Sequence, residues 1–198
     1  MRQKQSRNKT NFEDLLSLLI EDVCVETRVI YLNGEVDQDM AALAIKGLHI
    51  LETSSSSDPA TILINSEGGS VVDGLAIYDA IQLAPFQVET RVVGVADSMA
   101  AWILQAGDIR SATRYSRIMV HQGTSAPGDD LRENLNAWAA HHQHLDKVCI
   151  DILYRRMVMV NPKITPKQVE KLIQFDKIYT AQQALDAGLI DQIIYPKG

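Results

Sequence analysis

The sequence predicts an α/β fold with mainly parallel strands, and three observations carry that reading. Short β-branched runs alternate with helical segments along the 198 residues. The run at 61–65, TILIN, is apolar almost throughout, as a strand covered on both faces must be. Turn and capping residues (Asn-Gly, Gly-Gly, Ser, Thr, Asp) stand where one periodicity gives way to the next. A chain of this length buries one sizeable core, and crossovers between its parallel strands should be right-handed.

The elements follow in order. Residues 1–10, MRQKQSRNKT, are polar and basic and read as a disordered tail, or more sharply as a docking arm; 11–198 read as a single domain. NFEDLLSLLIED has Asn11 as an N-cap and a leucine stripe, a short amphipathic helix. RVIYLNG (28–34) is a strand ending in an Asn-Gly turn, and 37–52 is helical in composition and period. After the surface loop SSSSDPA come the strand at 61–65, the turn SEGG and a helix over 70–84. A strand at 87–96 leads into a helix over 98–106, with Gly107 in the C′ position. Two short strands are expected near 109–114 and 117–121, and the loop GTSAPGDD introduces the longest helical stretch, about 130–158. No strand directly follows that stretch, which reads as an arm packed against something else. Thr165 and Thr180 cap two terminal helices, and LIDQIIY is the last strand.

Composition narrows the function. A net charge of −6 and a pI near 5.3 argue against nucleic acid as the main partner, since phosphate binding requires a basic face. No apolar window is long enough to span a membrane, and the basic N-terminus lacks the apolar core of a secretory signal. Cys24 and Cys149 are far apart and in apolar surroundings, so thiols in a reducing cytoplasm are expected rather than a disulfide.

In open α/β sheets, sites gather where strands end and helices begin. Two such junctions stand out. In INSEGGS (64–70) the paired Gly68 and Gly69 permit positive φ and close backbone approach, and their N–H groups can converge on an anion. In GVADSMAAWIL, Ser98 opens a helix behind a buried strand, within reach of a positive helix end and of the N–H of Met99, which has no partner inside its own helix. Asp97-Ser98 is equally a good N-cap, and on local grounds cap and nucleophile stand level. A nucleophilic serine needs a base and an orienting carboxylate. Of five histidines, His121 ends an apolar strand, RIMVHQ; His49 reads as structural, and His141, His142 and His144 read as a solvated helix face. His141 and His144 could share a face, but no further ligand pattern supplies a metal site. Asp97, Asp108, Asp176 and Asp191 all lie near element ends, and spacing does not choose among them.

Four blocks in one order resemble the ClpP serine peptidases, the proteolytic subunits of the caseinolytic protease. INSEGGSVVDGLAIYDAIQ is similar to that family's INSPGGS…GLAIYD, and GVADSMAAWIL to its G-x-A-A-S-M-G. SRIMVHQ resembles its R-x-M-I-H-Q strand, and FDKIYTAQQALDAGLID its R-D-x-F-x-S-A-x-E-A-x-x-Y-G-L-I-D ending. The resemblance covers about residues 28–195 and implies the spiral of ββα units shared with crotonases, with a projecting handle helix at about 130–158. It implies Ser98 as nucleophile, His121 as base and Asp176 as the acidic member, with the N–H groups of Gly69 and Met99 as the oxyanion hole. It further implies heptameric rings stacked in pairs as a tetradecamer, protein or peptide substrates, and an AAA+ unfoldase that alone uses ATP, the chain itself needing no cofactor.

The chain departs from the family at defined places. Glu67 stands where the family has Pro, its carboxylate expected to point outward; Asp97 stands where it has Ala, either capping the helix or altering the Ser98–His121 environment. GTSAPGDD replaces a glycine-rich stretch, and Pro127 removes a backbone donor there. Gln174 and Phe175 replace an acidic–Arg pair that links the rings, which makes the single ring the firmer expectation, and the N-terminus lacks the family's axial-loop residues. Two other functions are weighed: a non-catalytic ring subunit, which an intact Ser98/His121/Asp176 set argues against, and a crotonase-type acyl-CoA enzyme, which has no use for a Ser-Met nucleophile.

Overall fold

The computed structural model describes residues 23–55, 57–123 and 132–195. The predicted tail, the NFEDLLSLLIED helix and the loop after Gly123 lie outside the described residues.

The elements are β1 (Val29–Val36), α1 (Gln38–Ser54), β2 (Ala60–Gly69), α2 (Val71–Leu83), β3 (Val88–Asp97), α3 (Met99–Leu104), β4 (Ile109–Thr113), β5 (Arg117–Val120), α4 (Arg132–Val160), α5 (Pro166–Ile173), β6 (Lys177–Thr180), α6 (Ala181–Asp186) and β7 (Gln192–Ile194). The sheet runs β1-β2-β3-β4-β7, with β5 on β3 and β6 on β5. Every pairing is parallel except β5 with β6. The α/β class and the parallel pairing are as the sequence predicts. Strand β6 is an addition to that reading: KIYT is short, and two of its flanks are helical, so no alternating pattern marks it.

Strand β3 forks. Its first half, Glu89–Val92, pairs with β4, and its last residues, Val95–Asp97, pair with β5. The fork falls at Gly94, which sits at φ +101, and a Cβ there would lie 2.5 Å from Asn65 Oδ1. Glycine is required on both counts. The Asn65 amide fills the gap, accepting from Val95 N and donating to Asn33 Oδ1 at 2.8 Å. The fork brings β5 beside the carboxyl end of β3, where the site forms.

Helix ends are set by ordinary capping chemistry. Asp37 accepts from Met40 N, Ser70 from Asp73 N, and Thr165 and Thr180 each form a full capping box with Gln168 and Gln183. The C-terminus of α3 differs from expectation. Gln105 is its C-cap, and Gly107 is not in the left-handed region; a Cβ at Gly107 would instead meet Thr90 Oγ1 at 2.3 Å, so space rather than φ demands the glycine.

All six residues of α3 are buried, which makes it the central helix rather than a surface element. Helix α4 docks on it through Ile152, Leu153 and Met157, all buried, while Trp102 Nε1 donates to Cys149 O at 3.0 Å and Arg156 Nη2 to Gln105 O at 2.6 Å. The other end of α4 is exposed over residues 136–141, consistent with an arm. Arg110 forks onto Asp191 and reaches Gln105 Oε1 and Gly188 O, so that each nitrogen of the buried guanidinium has a partner. Cys24 and Cys149 are both thiols, half-buried rather than fully enclosed.

Leu153→Ala deletes a side chain with no exposed surface and should destabilise the fold by about 2–5 kcal/mol. Met159→Ala on the exposed side of the same helix should stay within about 0.5 kcal/mol. Thermal or denaturant unfolding of the two variants checks the contrast.

Candidate active site

Ser98 joins β3 to α3 at φ 49, ψ −130, a conformation a non-glycine residue adopts only under constraint. The constraint comes from both sides. Gly68, at φ +91, lies so close that a Cβ there would be 2.6 Å from Asp97 O, 2.7 Å from Ser98 Cβ and 2.8 Å from Met99 N. On the other side Ser98 N donates to Met119 O of β5 at 2.9 Å. A sharp strand-to-helix turn of this kind lifts a hydroxyl out of the sheet edge.

The serine side chain makes no capping bond. Its Oγ lies 2.8 Å from His121 Nε2, and His121 Nδ1 lies 3.3 Å from Asp176 Oδ1. The structure therefore brings together the serine, the histidine and one of the four candidate aspartates. The other three are engaged elsewhere: Asp108 accepts from Val88 N, Asp191 holds Arg110, and Asp97 pairs with Arg117. The Asp176 side chain is 69% exposed, so solvent screens its interaction with the imidazole.

Gly69 and Met99 line a cavity of about 340 Å³ together with Ser98 and His121. The far wall comes from α4: Trp138, His141, His142, Leu145, Asp146 and Cys149. The solvated-face reading holds for His141 and His144, which are exposed, while His142 is half-buried; the lining role of His141 and His142 is an addition to it. The His141 and His142 rings pack with Trp138 at centroid separations of 5.9 Å and 6.2 Å, and both residues line the cavity, which His144 does not. The role of Trp138 was missed, because a tryptophan on a long helix does not show in sequence which element it will face. Burial, reinforced by Asp146, pushes the Cys149 thiol up to about 12, which keeps it protonated at neutral pH.

The capping expectation for Asp97 is corrected. It makes no cap on α3 and pairs with Arg117 instead. The carboxylate is buried and is forked by Arg117 through Nε at 3.3 Å and through Nη2. Arg117 binds its proton more tightly than an ordinary arginine, first through the hydrogen bond to Asp97 and then through that carboxylate's charge, with partial burial opposing and Glu67 adding. Glu67 itself is exposed, away from the buried turn, and its field falls on Arg117. Arg117 was missed because a lone arginine opening a strand carries no signal without its partner. Among the described residues no group of three or more metal-ligating side chains occurs, and no helix is long and apolar enough to cross a membrane. His49 is exposed beside Glu52.

Comparison with known proteins identifies the family. A model of the Clp protease family matches residues 13–197. The chain is 34% identical over 195 residues to the ATP-dependent Clp protease proteolytic subunit 1 of Borreliella burgdorferi, covering 94% of this chain and 93% of that protein. It is 34% identical over 186 residues to the ATP-dependent Clp protease proteolytic subunit of Borreliella afzelii, covering 91% and 87%.

Two outcomes follow from the geometry. Gly68→Ala forces its methyl into the Ser98 turn and should slow fluorophosphonate labelling of Ser98 by about 100-fold, the scale on which an ångström of misplacement acts. Cys149 in the native protein should resist iodoacetamide at pH 8 and react on unfolding, because its thiolate is scarce below about 12; mass spectrometry of the alkylated peptide reads this.

Proposed function

Because the chain belongs to the Clp protease family and is a Clp-type serine peptidase, we propose that it hydrolyses peptide bonds of unfolded proteins or peptides through an acyl-enzyme on Ser98. The observation that carries this reading is the 2.8 Å contact between Ser98 Oγ and His121 Nε2 at a turn held in a strained conformation.

The chemistry follows from the placement of the groups. Ser98 Oγ attacks the substrate carbonyl carbon while His121 Nε2 takes the hydroxyl proton. Asp176, on the other ring nitrogen, selects the tautomer with the proton on Nδ1 and stabilises the imidazolium. The carbonyl oxygen becomes an oxyanion, which the N–H groups of Gly69 and Met99 receive; that both residues line the cavity beside Ser98 supports this. Collapse of this intermediate breaks the C–N bond, His121 returns the proton to the departing amine, and water repeats the sequence on the acyl-enzyme. No cofactor enters any step. The cavity lining, with Trp102, Trp138, Leu145 and Ile150, suits an apolar substrate side chain.

In this reading the subunit acts in a ring, a heptamer or two stacked heptamers, with an AAA+ unfoldase delivering substrate in the cytoplasm; the relatives' names, as proteolytic subunits of an ATP-dependent protease, support the subunit role and the ATP-using partner. The exposed arm of α4 and the exposed Phe175 beside Asp176 are surfaces that a neighbouring subunit would cover, and the screened Asp176 would gain strength there. The crotonase-type alternative is disfavoured by the Ser98–His121 contact, and the non-catalytic alternative by the assembled geometry of all three groups.

Ser98→Ala and His121→Ala should each reduce peptide turnover by about 10⁴-fold or more while leaving particle mass unchanged. A fluorophosphonate should label wild-type Ser98, and native mass spectrometry should show a ring. A wild-type ring without any Ser98 adduct favours the structural subunit, thioester turnover without peptide turnover favours the acyl-CoA enzyme, and a monomer sinks the chambered protease.

A further inference from the structure

We propose that Asp97 and Arg117 are a positioning pair: an ion pair with a buried carboxylate and a half-exposed guanidinium that holds the strand carrying Ser98 in register with the strand leading to His121. The inference rests on the reading of Ser98 and His121 as nucleophile and base.

Three observations carry it. First, the pair spans the two elements whose relative position sets the reacting distance. Asp97 is the last residue of β3 and precedes Ser98; Arg117 opens β5, and His121 directly follows that strand. In the β3–β5 ladder Asp97 stands opposite Met119 and Val95 opposite Arg117, so the side-chain bridge runs diagonally across the ladder. Sliding β5 along β3 would stretch the bridge, which makes it a brake on the motion that would separate Oγ from Nε2.

Second, the neighbouring turn is strained and must be held. A residue at φ 49 persists only when its surroundings over-determine it, at a cost of about 1–3 kcal/mol. Gly68 presses on the turn from β2, and Met119 O accepts from Ser98 N on β5. The ion pair adds a side-chain tie one residue earlier on the β5 side.

Third, the pair's burial is asymmetric. The Asp97 side chain is 7% exposed and that of Arg117 is 47% exposed. Removing the arginine strands a buried carboxylate at the base of the nucleophile turn, whereas removing the carboxylate leaves a guanidinium that solvent and Glu67 can accommodate. The backbone must then move to hydrate Asp97, and Ser98 moves with it. Nε and Nη2 both engage the carboxylate, a fork that lysine cannot reproduce.

The test measures kcat and KM on a short peptide, the rate of fluorophosphonate labelling of Ser98, and Tm, on assembled protein. Arg117→Gln should lower kcat and the labelling rate together by about 10- to 100-fold, with KM within about twofold, since only the reacting geometry changes. Arg117→Lys should fall between it and wild type. Asp97→Asn, which keeps an acceptor for Arg117, should lose less than Arg117→Gln. The double variant Asp97→Ala/Arg117→Gln should recover part of the lost rate, because the stranded charge is gone. Wild-type kcat and labelling in both Arg117→Gln and Asp97→Asn, with only Tm lowered, would overturn the proposal. Where Arg117→Gln does not fold, Arg117→Lys and Asp97→Asn decide by the same rates. A wild-type protein that folds and assembles but never labels at Ser98 would instead refute the reading on which the pair depends.

Discussion

The site depends on one backbone constraint, the turn at Ser98. A positive φ at a serine is unfavourable in isolation, and here it is held by contacts from two separate strands. The β2 side requires a residue with no Cβ at Gly68, and the β5 side supplies an acceptor at Met119 O. Those contacts exist only because β3 forks at Gly94, leaving its carboxyl end free of β4 and available to β5. The local strain, the Gly-Gly junction and the sheet topology are therefore one feature seen at three scales.

Charge is distributed around this turn by separation. Asp97, though adjacent to Ser98 in sequence, is drawn to the β5 side by Arg117, while Asp176 approaches the imidazole from the turn between α5 and β6. The two carboxylates thus serve different partners, one buried and forked, the other exposed and at 3.3 Å from its nitrogen. On the cavity side, α4 brings an aromatic and imidazole wall together with a thiol that burial keeps protonated. Docking of α4 on the buried α3 is what places that wall opposite Ser98.

Much of the fold was legible in the residues. TILIN announced a strand, though its burial alternates, with Ile62 and Ile64 buried, Thr61 and Leu63 half-buried and Asn65 exposed, and Thr165 and Thr180 announced the starts of their helices, because capping is local chemistry. Strand β6 was not legible, since four residues between helical segments carry no period, and its antiparallel pairing with β5 is a tertiary event. Gly107 was read for its φ and is needed for its size, which depends on Thr90, a residue distant in sequence.

Sequence alone determined the residue types and their order: the Gly-Gly junction, Ser98 behind a buried strand, His121 at a strand end, and an aspartate ahead of the last helices. It left Ser98 between cap and nucleophile and left four aspartates as candidates, until family resemblance favoured one. Tertiary structure decided where each side chain points. Ser98 Oγ turns to His121 rather than to its own helix, Asp176 comes within reach of the imidazole, and Asp97 is claimed by Arg117. The physical reason is range. Capping and strand propensity act within a few residues and are written in the local sequence, whereas the partner of a charge or a hydroxyl is chosen by strands that meet only when the sheet closes.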